Sequence, residues 1–147
     1  MKILYIDLDG VIADFVSAMD SHPSRNEPPY CKDPDTIPGL FRNLEPIAGA
    51  VKSVKKLFDS DKYEVYILST APWNNPSAWT DKRLWIADQF GNQINRRLIL
   101  THRKDLVKGD ILIDDRPNNG AKNFKGEWIQ FGTSQYPDWE TVINYLL

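Results

Sequence analysis

Cysteine is almost absent from this sequence: Cys31 is the single thiol among 147 residues, so no disulfide can form within the chain. A chain without disulfides fits a reducing compartment, and we expect a cytoplasmic protein. No stretch approaches the roughly 20 apolar residues that a membrane-spanning helix needs, and the N-terminus lacks the apolar run of a signal peptide. We therefore expect a protein without a membrane partner.

An excess of charge of either sign is also missing. The chain has 18 basic and 20 acidic residues, spread along its length, and a formal net charge of −2. No basic stripe is present, so the sequence argues against a nucleic acid polymer as the partner. The length suits one domain, and a hydrophobic fraction of 41% is sufficient for a buried core.

Short apolar runs rich in Ile, Leu, Val and Tyr indicate β-strands. The predicted strands cover residues 2–9, 63–70, 96–101 and 110–115, with a weaker one at 127–132. Some of these runs lack polar alternation, which is typical of strands that are buried on both faces of a parallel sheet.

Helical periodicity occurs between these runs. Apolar residues recur at helix spacing in 46–61 and in 76–91, and Gly91 is a natural C-terminal stop. Asp138 is a candidate N-cap for a last helix over 138–147. Alternating strands and helices predict an α/β fold with a parallel sheet.

The segment 19–45 interrupts this alternation. It contains five of the ten prolines and has no clear periodicity. A linker would explain it, but a connection from a strand to the next helix needs only a short loop. We therefore predict a small cap insertion at 19–45, placed after the first strand, and a core domain formed by 1–18 and 46–147.

Two acids, Asp7 and Asp9, end the first predicted strand. Side chains alternate along a strand, so both carboxylates point to the same side, at the sheet edge where open α/β sheets bind ligands. Carboxylates this close repel each other, so either one is protonated or a cation lies between them. Gly10 follows and permits a sharp turn. Solvated capping residues are the alternative interpretation.

Polar side chains also follow the other predicted strands. Because the carboxyl ends of parallel strands meet at one edge, we expect carboxylates, hydroxyls and a lysine to collect there. The residues concerned are Ser69, Thr70, Lys104, Asp114 and Asp115. Taken singly, a strand-end hydroxyl often bonds to the backbone and a loop lysine is often solvated, but the whole set in this order is typical of phosphoryl chemistry.

Each member of the set has a predicted role. Asp7 would attack phosphorus as the nucleophile, and Asp9 would protonate the leaving oxygen and later activate water. Ser69 would bond a phosphoryl oxygen, and Lys104 would balance negative charge. Asp115 would point away from Asp114 if the strand continues, so we expect it to support or cap the site.

A divalent metal is the predicted cofactor. Mg²⁺ prefers oxygen ligands and few protein carboxylates. The predicted ligands are Asp7, Asp9 and Asp114, together with a backbone carbonyl. Mn²⁺ would suit the same oxygen donors.

These motifs resemble those of the haloacid dehalogenase-type phosphohydrolases. The matching segments are "DLDGV", "VYILST", the loop lysine Lys104 and "LIDD". The resemblance implies a Rossmann-like parallel sheet with helices on both faces, Mg²⁺ and an aspartyl-phosphate intermediate.

A narrower resemblance, to the 5'(3')-deoxyribonucleotidases, covers most of the chain outside 16–37. It implies that the substrate is a deoxynucleoside monophosphate, that Phe15 lines the base pocket, and that Thr70 and the residue at 102 contact substrate. His102 stands where eukaryotic relatives are expected to have Arg, and the cap is short and proline-rich. Phe15 and Phe41 would sandwich a base, and Trp73 would flank the site, although core packing would explain each of these aromatics too.

Two alternative functions stay open. A phosphatase of the same fold could act on a non-nucleotide phosphomonoester such as a sugar phosphate, since only the cap distinguishes the two. A receiver-like phosphorylation switch uses similar residues but has the acidic pair first and the acceptor Asp later, the reverse of this chain. Short-capped relatives of this fold sometimes cover the site with a partner subunit, so a homodimer is a further expectation.

Overall fold

The fold was analysed in a computed structural model that describes residues 1–147. The five strands are β1 (Lys2–Ile6), β2 (Tyr63–Ser69), β3 (Leu98–Leu100), β4 (Ile111–Asp114) and β5 (Glu127–Gln130). The four α-helices are α1 (Phe15–Ser21), α2 (Ala50–Asp59), α3 (Pro76–Phe90) and α4 (Trp139–Leu146). Short 3₁₀ helices occur at Pro34–Thr36, Gly91–Ile94, Lys104–Leu106 and Ala121–Asn123.

All five strands pair in parallel, in the order β3-β2-β1-β4-β5. The central strand is β1, where Ile6 lies opposite Ile67 on one side and Ile113 on the other. The prediction of an α/β fold with a Rossmann-like parallel sheet is confirmed. The strand order reverses between β1 and β4, so the crevice at the carboxyl ends of these two strands is the expected ligand site.

The two faces of the sheet are covered unequally. Leu4 and Ile6 of β1 belong to a cluster of 29 buried residues to which α2, α3 and α4 all contribute. Tyr5 points to the opposite face, as alternation requires, and joins a cluster of only five buried residues. That second face packs against the 3₁₀ helix Ala121–Asn123 and Phe124. Helical segments therefore lie on both faces, but the α-helices of the larger core are concentrated on one.

Several predicted elements are shorter in the structure than in the sequence pattern, and two of these differences bear on the site. Strand β1 ends at Ile6 because the chain turns directly afterwards: the amides of Ile12 and Ala13 both donate to the Leu8 carbonyl. Helix α2 begins only at Ala50. The Ile47 amide donates to the Ile12 carbonyl, and Pro46 forms an isolated β-bridge with Ala13, so residues 46–47 are extended and not helical. The sharp turn after β1 carries Asp9 out of the strand and toward α3.

The segment that follows α1 packs onto the core rather than forming a free loop. Ile37, Leu40, Phe41 and Leu44 are all buried and belong to the larger cluster. The division into a core and a cap at 19–45 stays a prediction. None of the α-helices combines the length and the apolar composition that are needed to span a membrane.

Candidate active site

The crevice between β1 and β4 contains a buried lysine between two acids. Asp7 follows the last residue of β1, and its amide donates to the carbonyl of Ile113 in β4. Asp114 is the last residue of β4. The Lys104 ammonium lies 3.1 Å from Asp7 Oδ1 and 2.6 Å from Asp114 Oδ2, and the side chains of all three are almost completely removed from solvent. The structure thus brings Asp7 together with a lysine and an acid that follow it by about 100 residues in sequence.

The loop that carries Lys104 is fixed by its backbone. The Lys104 amide donates to the Asn119 carbonyl at 2.7 Å, which joins this loop to the one after β4. Gly120 is required at the junction, because its φ is +83° and a Cβ atom there would overlap Asp105 and approach the Lys104 amide. The lysine is therefore held in place by both loops and is not a solvated loop charge.

Asp115 completes the acidic cluster. One oxygen from each of Asp7, Asp114 and Asp115 lies within 4.8 Å of the others. Asp115 Oδ1 is buried and has no hydrogen-bond partner. Asp115 therefore does not point away from Asp114, as strand alternation suggested, because β4 ends at Asp114 and the chain bends there.

Gly10 lets the Asp115 carboxylate approach the turn after β1. Its φ is +79°, and a Cβ atom at this position would overlap Asp115 Oδ2. The glycine in "DLDG" is therefore needed for two reasons, the left-handed backbone and the space that the neighbouring carboxylate occupies.

Burial dominates the electrostatics of this cluster. Burial raises the pKa of Asp7 to about 7. The charge of Lys104 lowers this pKa, but burial and the negative charges of Asp114 and Asp9 together outweigh the lysine. Burial and the Asp7 charge raise the pKa of Asp115 to about 6. Burial also raises the pKa of Asp114. Burial alone would lower the pKa of Lys104, but Asp7 and Asp114 raise it, so the lysine stays charged.

Asp9 has a different partner. Its Oδ2 atom lies 2.5 Å from the ammonium of Lys82, a fully buried residue of α3, which also lies 3.3 Å from Ser69 Oγ. The Asp9 carboxylate is thus not part of the three-acid cluster, and Asp115 is there instead. The sequence analysis missed Lys82, although a signal was present: Lys82 follows Ala78 by four residues and precedes Ile86 by four, on the apolar side of the helix.

A narrow polar cavity and a wider one meet at this edge. The narrow cavity is lined by the Asp7, Lys104 and Asp114 side chains, and the wider one has a volume of about 540 Å³. They share Asp9 and Thr70, so they adjoin. Three polar residues that line the narrow cavity were not predicted: Arg116 and Asn119, which also line the wider cavity, and Asn118, which does not.

Aromatic side chains line the wider cavity. Phe15 and Phe41 lie on one part of its wall, and Trp73 and His102 on another. The His102 ring is 6.2 Å from Trp73 and 6.1 Å from Trp79. Trp73 is 76% exposed, which is unusual for a tryptophan that merely fills a core.

Phe15 and Phe41 do not flank a gap. Their rings stack directly on each other, with centroids 5.1 Å apart and planes within 6° of parallel. A base cannot enter between two rings that are already in contact, so the expected sandwich is corrected to a single aromatic wall.

Thr70 is close to the site but directs its hydroxyl to the Thr101 carbonyl at 2.7 Å.

The acidic cluster fits a hard divalent cation. Asp7, Asp114 and Asp115 offer only oxygen donors, and the unpartnered Oδ1 of Asp115 is a buried atom for which a cation would compensate. No histidine or cysteine belongs to the cluster, which argues against a soft transition metal.

Comparison with known proteins agrees with this geometry. Residues 35–142 match the family model described as "5' nucleotidase, deoxy (Pyrimidine), cytosolic type C protein". A protein of Vibrio phage KVP40 named "Putative 5'(3')-deoxyribonucleotidase" is 46% identical over 98% of this chain and 84% of its own length. The "5'(3')-deoxyribonucleotidase" of Bacillus subtilis (strain 168) is 30% identical, over 88% of this chain and 84% of its own length.

The human "5'(3')-deoxyribonucleotidase, cytosolic type" is more distant, with 31% identity over 72% of this chain and 47% of its own length. The resemblance drawn from the sequence motifs is confirmed by these matches. The chain belongs to the family of the cytosolic type C 5'-deoxynucleotidases.

Proposed function

We propose that this protein is a Mg²⁺-dependent 5'(3')-deoxyribonucleotidase that hydrolyses deoxynucleoside monophosphates to nucleoside and phosphate. The observation that carries the proposal is the Asp7–Lys104–Asp114 arrangement beside a cavity with aromatic walls. Family membership supports the same reaction, since the matched relatives are named for it.

Asp7 is the nucleophile of the proposed first step. A carboxylate oxygen of Asp7 forms a bond to phosphorus, and the bond between phosphorus and the nucleoside oxygen breaks. Lys104 lies 3.1 Å from Asp7 Oδ1, where its positive charge offsets the negative charge of the phosphoryl group and nucleophile. Ser69, at the end of β2, bonds a phosphoryl oxygen through its hydroxyl.

Asp9 handles the proton in both steps. It first donates a proton to the departing nucleoside oxygen. It then removes a proton from a water molecule, whose oxygen attacks phosphorus and breaks the bond to Asp7. Phosphate leaves, and the free Asp7 carboxylate and the protonated Asp9 are restored. Asp9 lines both cavities, which supports a role at the bond between the phosphoryl group and the rest of the substrate.

Mg²⁺ is the proposed cofactor, held by Asp7, Asp114 and Asp115 and by Asp9 through its backbone carbonyl. When bound, the metal supplies Lewis-acid stabilisation of the phosphoryl oxygens. The supporting observation is the oxygen-only cluster whose members lie within 4.8 Å of one another.

The substrate portion outside the phosphate occupies the wider cavity. A volume of about 540 Å³ suits a small molecule of nucleotide size. Trp73 and His102 offer flat faces for stacking on a base, and the Phe15–Phe41 pair adds an apolar part of the wall. Arg116 lines both cavities and takes part in no ion pair, so its guanidinium is free for the phosphate.

Phosphate release from a panel of phosphomonoesters tests this proposal. With Mg²⁺, we expect turnover of dUMP and dTMP to exceed that of sugar phosphates, because only the nucleotides carry a base for the aromatic walls. The Asp7→Asn variant should lose turnover by about 10³-fold or more. No release from any member of the panel would refute the phosphatase, and a preference for sugar phosphates would favour the non-nucleotide alternative.

Two further expectations belong with this proposal. A cytoplasmic location is consistent with the single cysteine, Cys31, which is exposed and unpaired. A homodimer that covers the wide cavity is tested by light scattering of the purified protein, with a mass of about twice 16.9 kDa as the expected result.

A further inference from the structure

Lys82 is buried in a place where an unpaired lysine would be strongly destabilising. Its side chain is almost completely removed from solvent, yet it belongs to α3 rather than to a loop of the active site. Burying an ammonium group costs several kcal/mol unless partners compensate for the lost hydration. Its three compensating contacts are Asp9 Oδ2, Ser69 Oγ at 3.3 Å and the face of the Phe41 ring at 4.5 Å. Asp9 and Phe41 line the wider cavity, and Ser69 is the last residue of β2, so these partners lie beside the candidate active site.

The contact with Lys82 leaves the two oxygens of Asp9 in different situations. Oδ2 accepts from the lysine, whereas Oδ1 is buried and has no hydrogen-bond partner. Asp9 is also on the turn after β1, where it is no longer held by the sheet. The ion pair with α3 is therefore the side-chain contact that fixes the orientation of this carboxylate.

We propose that Lys82 is a positioning residue that orients Asp9 for proton exchange with the leaving nucleoside oxygen. Lys82 binds Oδ2 and thereby keeps Oδ1 as the oxygen that faces the reaction. It acts through Asp9 and touches neither the phosphoryl group nor the leaving oxygen. This inference rests on the proposed function, because it assigns a role within that reaction.

The choice of leaving group separates this role from a structural one. A nucleoside leaves as a poor alkoxide and needs the proton from Asp9, whereas p-nitrophenolate leaves as a stable anion and does not. A residue that only supports the fold would affect both substrates alike. A residue that orients the acid would affect the nucleotide selectively.

The first experiment compares Lys82→Met with the unchanged protein on dTMP and on p-nitrophenyl phosphate, both with Mg²⁺. We expect kcat/KM for dTMP to fall by about 10²-fold or more, and kcat/KM for p-nitrophenyl phosphate to fall by less than about threefold, because kcat/KM reports the steps up to departure of the leaving group and not the later hydrolysis of the aspartyl-phosphate, which also needs Asp9. Arg83→Met is the matched control, since it is the next residue of α3 and is exposed. It should leave both values unchanged. Equal losses on both substrates, or no loss on dTMP, would overturn the proposal.

A double-mutant cycle covers the case in which Lys82→Met fails to fold because Asp9 is left buried and unpaired. The combination of Asp9→Asn with Lys82→Met leaves no unpaired charge and should fold. If Lys82 acts through Asp9, the double variant and Asp9→Asn should have the same kcat for dTMP. A further loss of about tenfold or more in the double variant would mean that Lys82 acts independently and would overturn the inference.

The failure of this inference differs from the failure of the proposed function. An unchanged protein that does not hydrolyse dTMP refutes the function. An active protein whose variants lose both substrates equally refutes only the role of Lys82.

Discussion

At the scale of single residues, the two acids of the "DLD" motif have different surroundings. Asp7 lies against Lys104 in a crevice that also holds Asp114, whereas Asp9 pairs with Lys82 of α3. Each acid thus has its own lysine, although only one residue separates the acids. This difference suits a division of work in which one acid binds the phosphoryl group and the other exchanges protons.

The raised pKa of Asp7 leads to a prediction about stability. Its pKa is about 7 in the folded protein and about 4 in an unfolded chain, so between these pH values only the folded state holds the proton. Stability from this group is therefore lost as the pH rises from about 4 to about 7. We expect metal-free Asp7→Asn to exceed the unchanged protein in free energy of unfolding at pH 8 by on the order of 4 kcal/mol, because each pKa unit between about 4 and about 7 corresponds to about 1.4 kcal/mol.

Urea denaturation in a chelator at pH 5 and pH 8 measures this difference, which should be smaller at pH 5. Asp20→Asn, which changes an exposed acid of α1, is the control and should have no such pH dependence. A stability difference that is equal at the two pH values would contradict the assignment of the raised pKa to Asp7.

A second prediction at this scale concerns Trp73. It is exposed and lines the wider cavity, so removing it should weaken base stacking without unfolding the protein. Because stacking on an aromatic side chain contributes about 1–3 kcal/mol per base, Trp73→Ala should raise KM for dTMP by about tenfold. KM for glycerol phosphate, which has no base, should stay the same. Tyr145→Ala, at an exposed aromatic of α4, is the control.

At the scale of elements, the turn between β1 and α1 determines the shape of the site. It begins immediately after Ile6, and it ends where the Asp14 side chain accepts from the Ser17 amide and caps α1. Asp7, Asp9 and Gly10 all lie within it. The turn therefore holds the proposed nucleophile, the proposed acid and the space for Asp115 in one short segment.

Gly10→Ala should damage both stability and metal binding. A left-handed backbone at a non-glycine residue costs about 1–3 kcal/mol, and the added Cβ would displace the Asp115 carboxylate. Gly39→Ala is a matched control, because Gly39 has a φ of +78° but no atom within 4 Å of the Cβ position. Both variants should lose stability in thermal melts, but only Gly10→Ala should need more Mg²⁺ for half-maximal activity. An equal Mg²⁺ requirement in the two variants would contradict this role of Gly10.

At the scale of the whole molecule, the strand order β3-β2-β1-β4-β5 decides where the chemistry is located. The reversal between β1 and β4 opens a crevice, and residues that follow β1, β2, β3 and β4 all line it. Buried acids accumulate at this point without neutralising partners for all of them. The molecule as a whole should therefore be more stable when a cation binds.

Mg²⁺ should stabilise the protein in a pH-dependent manner. At 100 times its Kd, a ligand that binds only the folded state adds about 2.7 kcal/mol to the free energy of unfolding. Protons compete for Asp7, with a pKa of about 7, and for Asp115, with a pKa of about 6, so the increase in Tm should shrink as the pH falls from 8 to 6. Asp114→Asn should reduce the increase at every pH. Differential scanning calorimetry of the protein with Mg²⁺ and with a chelator measures this increase in Tm. A Tm that does not respond to Mg²⁺ at pH 8 would refute the metal site.

The sequence by itself determined the fold class and most of the elements. All five strands and the helices α2, α3 and α4 were predictable, because buried strands and amphipathic helices are local patterns of apolar residues. Helix α1 was not, since it has seven residues and none of them is buried. The sequence also indicated that Asp7, Lys104 and Asp114 would meet, because residues at the carboxyl ends of parallel strands share one edge, whereas Ser69 lies against Lys82 and its contact with a phosphoryl oxygen stays a prediction.

Only the tertiary structure decided how the side chains at that edge pair. The contact between Asp9 and Lys82 joins residues 73 positions apart, and the stacking of Phe15 on Phe41 depends on how the segment after α1 folds back. The inward position of Asp115 depends on the bend after β4 and on the space above Gly10. Such pairings follow from the packing of whole elements against each other, and the periodicity of a single segment has no information about them.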